Sequence, residues 1–279
     1  MYKALFTDLD GTLFDDDKNI SPENLRALNK IKSEGKMVAI CSGRQIDYVR
    51  RINDKIGSND YVIASNGAVI YDCKNNETLF TSNIPKDRCK YLIEYGLEKG
   101  FLIRVDTPYV RYLSDMSKAI STEIELDKDI DRFVRGTDVI QITFCIENKD
   151  DLSEITSYVE NECYDLSIAN KFMSHIGNYK YWAINILNCS ASKGNAISGL
   201  CKYLKINTDE AVAIGDDLND VSMMQAVGMG VAMDNAVEEV KKSVDHHIER
   251  LIDLESWPEI KSVYHATAKE VEMNEVRNE

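Results

Sequence analysis

Five short runs of this chain are apolar throughout, and four of them break into a polar cluster at their C-terminal end. Ala4-Leu5-Phe6 leads into Thr7-Asp8-Leu9-Asp10-Gly11-Thr12-Leu13. Met37-Val38-Ala39-Ile40-Cys41 leads into Ser42-Gly43-Arg44, and Tyr61-Val62-Ile63-Ala64 into Ser65-Asn66-Gly67-Ala68. Ala211-Val212-Ala213-Ile214 leads into Gly215-Asp216-Asp217-Leu218-Asn219-Asp220, and Gly230-Val231-Ala232-Met233 ends at Asp234-Asn235. A run that is apolar at every position reads as a strand covered on both faces, the condition of a parallel sheet between helices. The segments between carry helix signals. Ser21 can N-cap a helix with Pro22 at its first position; Leu25, Leu28 and Ile31 form its apolar face, and Gly35 ends it. Ser192 can cap another, with Lys193 in its first turn and Ala196, Ile197, Leu200 and Leu204 facing inwards. This alternation predicts an α/β class with a doubly wound parallel sheet. Ligands bind such sheets beyond the C-terminal strand ends, the edge that holds the polar clusters.

The rhythm stops between residues 84 and 187. Helix-like stretches at 86–99 and 151–160 alternate there with strand-like ones at 101–105, 139–146 and 181–187. The expected organisation is a discontinuous core, 1–83 and 188–279, with an inserted α+β cap at 84–187. Such an insert can close over the active edge as a lid.

Net charge is −14 over 279 residues, with a pI near 4.8. A uniformly acidic surface repels nucleic acid and anionic membranes, so neither is expected as a partner. A phosphorylated substrate would be repelled too, so its site has to be locally positive. The seven cysteines are scattered with no C-x-x-C pair, which suits reduced thiols in a cytoplasmic protein. No secretory pattern or long apolar segment is expected to export or anchor the chain. The polar stretch 265–279 reads as a frayed helix or a disordered tail.

Asp8 and Asp10 place two carboxylates where a strand breaks into a glycine loop. Unpaired, they repel, and one is pushed towards protonation; a divalent cation removes the conflict. A cation, one ionised carboxylate and one able to carry a proton are the parts needed to attack a phosphate ester. A calcium loop fails on spacing: counted from Asp8, glycine falls at the fourth position, and counted from Asp15 the sixth and twelfth positions are Ile20 and Arg26. Asp8 is therefore the candidate nucleophile and Asp10 the acid–base, with the backbone N–H groups of Leu9 and Asp10 as phosphate donors. Ser42 and Gly43 offer a hydroxyl and an unhindered N–H to a phosphate oxygen. Lys193 adds positive charge; it is not a Walker lysine, because Ser190-Ala191-Ser192 lacks the glycine frame. Asp216 is the expected third ligand of Mg²⁺, beside Asp8 and the backbone carbonyl of Asp10. Asn219 is expected on phosphate or a metal-bound water, Asp220 on Lys193 or a water, and Asp217 in solvent. Adjacent His246 and His247 point different ways and make a poor two-ligand site; His175, the cap tyrosines and Trp182 read as structural.

These motifs in this order resemble the haloacid dehalogenase superfamily: Asp8-Leu9-Asp10-Gly11-Thr12, then Ser42-Gly43-Arg44, then Lys193, then Gly215-Asp216-Asp217-Leu218-Asn219-Asp220. The Asn66-Gly67-Ala68 turn and the position of the insert are similar to the Cof-type sugar-phosphate phosphatase branch. The resemblance covers roughly residues 2–234. It implies a Rossmann-like core, a large α/β cap, Mg²⁺, an aspartyl-phosphate intermediate and a small phosphorylated metabolite as substrate. Thr12 and Asp220 are read as supporting residues, and Arg44 and Asn66 as candidates for the substrate's non-phosphate end. Two departures bear on substrate preference. Val244-Asp245-His246-His247-Ile248-Glu249 replaces a Thr-x-x-Asn…Gly-Val segment, and Asn185-Ile186 stands where relatives often carry Glu-Ile. The alternatives are a phosphomutase or phosphotransferase on the same core and a non-catalytic metabolite-binding regulator.

Overall fold

A computed structural model describes residues 2–251 except 16, 59, 120, 121, 177, 178 and 250. The stretch 265–279 and the side chain of His175 lie outside what is described. The chain first lays down β1 (Ala4–Thr7), α1 (Pro22–Ser33), β2 (Met37–Cys41), α2 (Ile46–Lys55), β3 (Tyr61–Ala64), β4 (Val69–Asp72) and β5 (Glu77–Thr81). It then forms α3 (Lys86–Glu98), β6 (Leu102–Asp106), β7 (Arg111–Leu113), β8 (Ile124–Glu125), α4 (Ile130–Gly136), β9 (Gln141–Ile146), α5 (Lys149–Glu162), β10 (Leu166–Ile176) and β11 (Tyr179–Asn188). It returns through α6 (Lys193–Leu204), β12 (Ala211–Gly215), α7 (Val221–Gln225), β13 (Met229–Met233), α8 (Glu238–Lys241) and β14 (His246–Ile248).

The first sheet has the order β14-β13-β12-β1-β2-β3-β4-β5. It is parallel from β14 to β3, as the apolar runs predict. The antiparallel pair β4–β5 extends that prediction; its turn uses Asn76 at φ 55°, a left-handed conformation asparagine tolerates. Successive side chains pack on opposite faces. Leu5, Val38, Ile40, Val212 and Ile214 meet the Leu28, Ile31, Val49 and Ile52 faces of α1 and α2. Ala4, Ala39, Ala211 and Ala213 meet Ala196, Ile197 and Leu200 of α6. The alanines around Phe6 on this second face leave room for α6 to pack close. Its N-terminus, capped by Ser192 Oγ accepting from the Asn195 N–H at 3.0 Å, thereby reaches the strand ends.

The second sheet, of order β10-β11-β9-β6-β7-β8, is inserted between β5 and α6. All pairs are antiparallel except β7–β8. One face carries Ile103, Val105, Ile142, Phe144, Ile184 and Ile186 into a core with Leu92, Ile93, Phe133 and Ile155. Within the insert, the helices and strands expected from the sequence are present, and β7, β8, α4 and β10 are additional. The two chain crossings between the sheets are hydrogen-bonded to each other, Ser82 Oγ to Ser190 Oγ at 2.7 Å and Asn188 Nδ2 to the Asn83 carbonyl at 2.9 Å. Ile84 packs in the second core, while Ile140 and Leu187 pack in the first.

His246 and His247 lie in β14, where alternation sends neighbours to opposite faces; His247 Nε2 meets the Lys241 carbonyl at 2.9 Å.

Candidate active site

Asp8 follows β1 directly, its N–H donating to the Ile214 carbonyl of β12 at 3.0 Å. The carboxylate is buried. Lys193 Nζ donates to Asp8 Oδ1 at 2.6 Å and also to Asp220 Oδ1, and all three side chains are less than a tenth exposed. Asp220 is itself fixed: its Oδ2 accepts from the N–H groups of Asp216 and Asp217 at 3.0 and 3.1 Å. The expected pairing of Asp220 with Lys193 is thus present, and Asp217 is exposed. Burial alone would lower the Lys193 pKa, but Asp220 and Asp8 outweigh it and hold the ammonium well above its usual range.

Gly11 closes the loop over the second acid cluster. It has φ +83°, and a Cβ there would lie 2.2 Å from Asp216 Oδ2. Only glycine allows both the left-handed turn and this approach. Thr12 Oγ1 then donates to Asp216 Oδ1 at 2.8 Å. Asn235, beyond β13, donates to the Gly11 carbonyl at 2.8 Å.

Asp10 is arranged differently from expectation. Arg44 engages it in a fork, Nε to Oδ2 at 2.6 Å and Nη2 to Oδ1 at 2.7 Å, and Lys18 Nζ joins Oδ1 at 2.8 Å. Burial pushes the Asp10 pKa upward, but these two cations override it and keep it below its usual value. Arg44, expected at a substrate's distal end, is thus paired with the acid two residues from Asp8 in this structure, while still lining the cleft. Lys18 was not singled out by the sequence. Its signal is the Asp15-Asp16-Asp17 run, where Asp15 Oδ1 accepts from the N–H groups of Asp17 and Asn19 and turns the chain so that Lys18 meets Asp10.

Ser42 is buried at the end of β2, with Gly43 beside it. A Cβ on Gly43 would come within 2.8 Å of Asn66 Oδ1. Asn66 holds φ 55° and accepts from Asn219 Nδ2 at 3.0 Å, so Asn219 meets Asn66 where phosphate or a bound water was expected. Asn66 Nδ2 in turn donates to Gln141 Oε1 of the inserted sheet at 3.5 Å. Asp8, Asp10, Ser42, Gly43 and Asn219 share one cleft of about 430 Å³ with Asn170, Phe172 and Asn185 of that sheet.

Residues 5–251 match the family described as haloacid dehalogenase-like hydrolase. The chain belongs to that family. YxeH of Bacillus subtilis is 30% identical over 257 residues, covering 88% of this chain and 92% of the relative. Phosphatase YwpJ of the same bacterium is 27% identical over 273 residues, covering 87% and 93%. A solved haloacid dehalogenase-like hydrolase from B. subtilis superposes with a TM-score of 0.70 at 26% identity, covering 88% of this chain and 94% of that one.

The electrostatics of this hydrolase suit a metal ion. Ligand atoms of Asp8, Asp216 and Asp220 lie within 4.8 Å of one another. Burial drives the Asp8 carboxyl up to about 8 against the pull of Lys193 and with the push of Asp220 and Asp216. Burial also drives Asp216 up to about 6, opposed by the Thr12 hydrogen bond. Fully ionised, the four carboxylates of Asp8, Asp10, Asp216 and Asp220 outnumber the three cations Lys193, Arg44 and Lys18 by one; the raised Asp8 and Asp216 values are the mark of that surplus, and the donors are all oxygens, the set a hard divalent cation takes. Asp220 already spends both oxygens within the protein, which leaves Asp8 and Asp216 to coordinate. No helix among the described residues is long and apolar enough to cross a membrane.

Proposed function

We propose that this hydrolase is a Mg²⁺-dependent phosphatase of small phosphorylated metabolites, sugar phosphates among them, working through an aspartyl-phosphate. The observation that carries this reading is Asp8: a buried carboxylate held by Lys193 at 2.6 Å, beside Asp216, at the mouth of a cleft that also holds Ser42 and Asp10. Asp8 and Asp216, with the backbone carbonyl of Asp10, would hold Mg²⁺, which when bound neutralises phosphoryl charge.

Lys193, the Ser42 hydroxyl, the backbone N–H groups of Leu9 and Gly43, and Asn219 bind the phosphoryl oxygens. An Asp8 oxygen attacks phosphorus as the ester P–O bond breaks, and Asp10 gives its proton to the leaving oxygen. Water then attacks the aspartyl-phosphate, Asp10 takes the water's proton, and the P–O bond to Asp8 breaks to release phosphate. The Arg44 and Lys18 cage gives Asp10 a switch. Incoming phosphoryl oxygens compete for these cations, and Asp10, relieved of them, can carry a proton. Residues 1–83 and 188–279 are the catalytic unit and 84–187 the cap, hinged at the hydrogen-bonded crossings. Seven free cysteines suit a reducing, cytoplasmic setting.

The test is phosphate release from a panel of phosphorylated metabolites without a phosphoryl acceptor, with Mg²⁺ and with EDTA. Metal-dependent release supports hydrolysis; turnover only when an acceptor is added would replace it with a transferase.

A further inference from the structure

The active-site cleft continues beyond the phosphate end. Gly43, Arg44, Phe172 and Asn185 line both it and a second hollow of about 250 Å³ along the open face of the inserted sheet. Three guanidiniums border this second hollow, Arg44, Arg104 and Arg111, together with the amides and hydroxyls of Gln141, Thr143 and Asn185. Among the described residues no carboxylate lines it. On a chain of net charge −14 this is a local reversal of sign.

Two of the three cations are already committed. Arg44 is forked on Asp10, and Arg111 is forked on the buried Asp106 at 2.7 and 2.8 Å. Arg104 is different. Among the described residues it makes no ion pair. Its Nη2 donates to Tyr181 Oη at 3.3 Å, and its guanidinium lies 5.9 Å from that ring's centroid. Its Nε is buried without a hydrogen-bond partner among the described residues. A buried charged donor left unmatched is destabilising, and among the described residues no carboxylate offsets the charge that Arg104 brings to the hollow. The planar fork of a guanidinium matches a carboxylate or a phosphate.

We infer that Arg104 anchors a distal anion subsite. The preferred substrates then carry a second anionic group, carboxylate or phosphate, at the end remote from the phosphoryl group that is removed. This inference rests on the phosphatase reading and narrows its substrate class. Phe172, exposed between the two hollows, lies beside the path that joins both ends of such a molecule.

The experiment compares matched pairs: glucose 6-phosphate with 6-phosphogluconate, and fructose 6-phosphate with fructose 1,6-bisphosphate. The enzymes are wild type, Arg104→Gln and Arg104→Lys. Wild type is expected to favour the two-anion member of at least one pair by roughly tenfold to a hundredfold in kcat/KM. Arg104→Gln should remove that preference through KM and leave the one-anion members within about twofold. Arg104→Lys should restore part of it, charge without the fork. The responding pair tells carboxylate from phosphate. Equal treatment of both members of both pairs by wild type overturns the subsite. So does an Arg104→Gln loss shared equally by both members, the mark of a structural arginine. Calorimetric binding of the same compounds to Asp8→Asn with Mg²⁺ needs no turnover. If wild type releases no phosphate, the phosphatase reading falls, and the presence or absence of an Arg104-dependent binding preference still decides the subsite.

Discussion

In the eight-stranded sheet the polar residues sit where strands end; in the six-stranded sheet they alternate along the strands. Asp8, Ser42 and Asp216 each follow a run buried on both faces, so each is pinned by backbone on either side and by neighbouring strand ends. Arg104, Gln141, Thr143 and Asn185 instead occupy every second position of β6, β9 and β11, on the face opposite the helices. Their side chains hold one another: Gln141 Nε2 donates to Thr143 Oγ1 at 3.2 Å, Thr143 Oγ1 to Asn185 Oδ1 at 2.8 Å, and Asn185 Nδ2 to Asn170 Oδ1 at 2.6 Å. The lesson is a division of labour. Strand ends fix charges rigidly enough for chemistry, while a strand face offers a surface that can be re-lettered one residue at a time.

The largest test of that division is Asp8→Asn. It should lower phosphate release about ten-thousandfold or more while the far-UV circular dichroism stays native. Retained activity would remove Asp8 from the chemistry and the rigid edge from its role. Next is Lys193→Met, which leaves Asp8 and Asp220 buried without their shared cation. Urea unfolding should register a loss of about 3–5 kcal/mol, far above the effect of any single polar change on the cap face. Chelation with EDTA should reduce release by roughly a hundredfold or more, with recovery on added Mg²⁺. Metal-independent turnover would require another answer to the surplus negative charge. Gly11→Ala forces a Cβ against Asp216 at φ +83°; a stability loss of about 1–3 kcal/mol and weaker Mg²⁺ binding are expected by thermal melts with and without the ion. The smallest effect is reserved for the cap. Thr143→Val breaks the side-chain relay between Gln141 and Asn185, costs about 1 kcal/mol, and should move KM with kcat nearly unchanged. A large fall in kcat there would mean that the two regions are not separable.

The polar edge was legible because parallel strands buried on both faces write themselves as unbroken apolar runs, and because the residue after such a run must emerge at the C-terminal edge, where such sheets bind ligands. The helix caps at Ser21 and Ser192 were legible for a local reason: each is a side chain bonding to an N–H three residues on. The edge strand β10 was not, since Phe172 and Met173 are both substantially exposed and blur the alternation. Nor was the β4–β5 hairpin, whose first strand is wholly buried and whose second is only half-buried, with Glu77 and Phe80 exposed.

By itself, then, the sequence determined the α/β core, the inserted cap and the acids that meet at the strand ends, because each follows from local periodicity and spacing. Only the tertiary structure decided which charges pair across the chain. Arg44 falls to Asp10 across 34 positions, Lys193 holds Asp8 as well as the expected Asp220, and among the described residues Arg104 is left without a carboxylate. An ion pair depends on distance in space, and a sequence states distance only along the backbone.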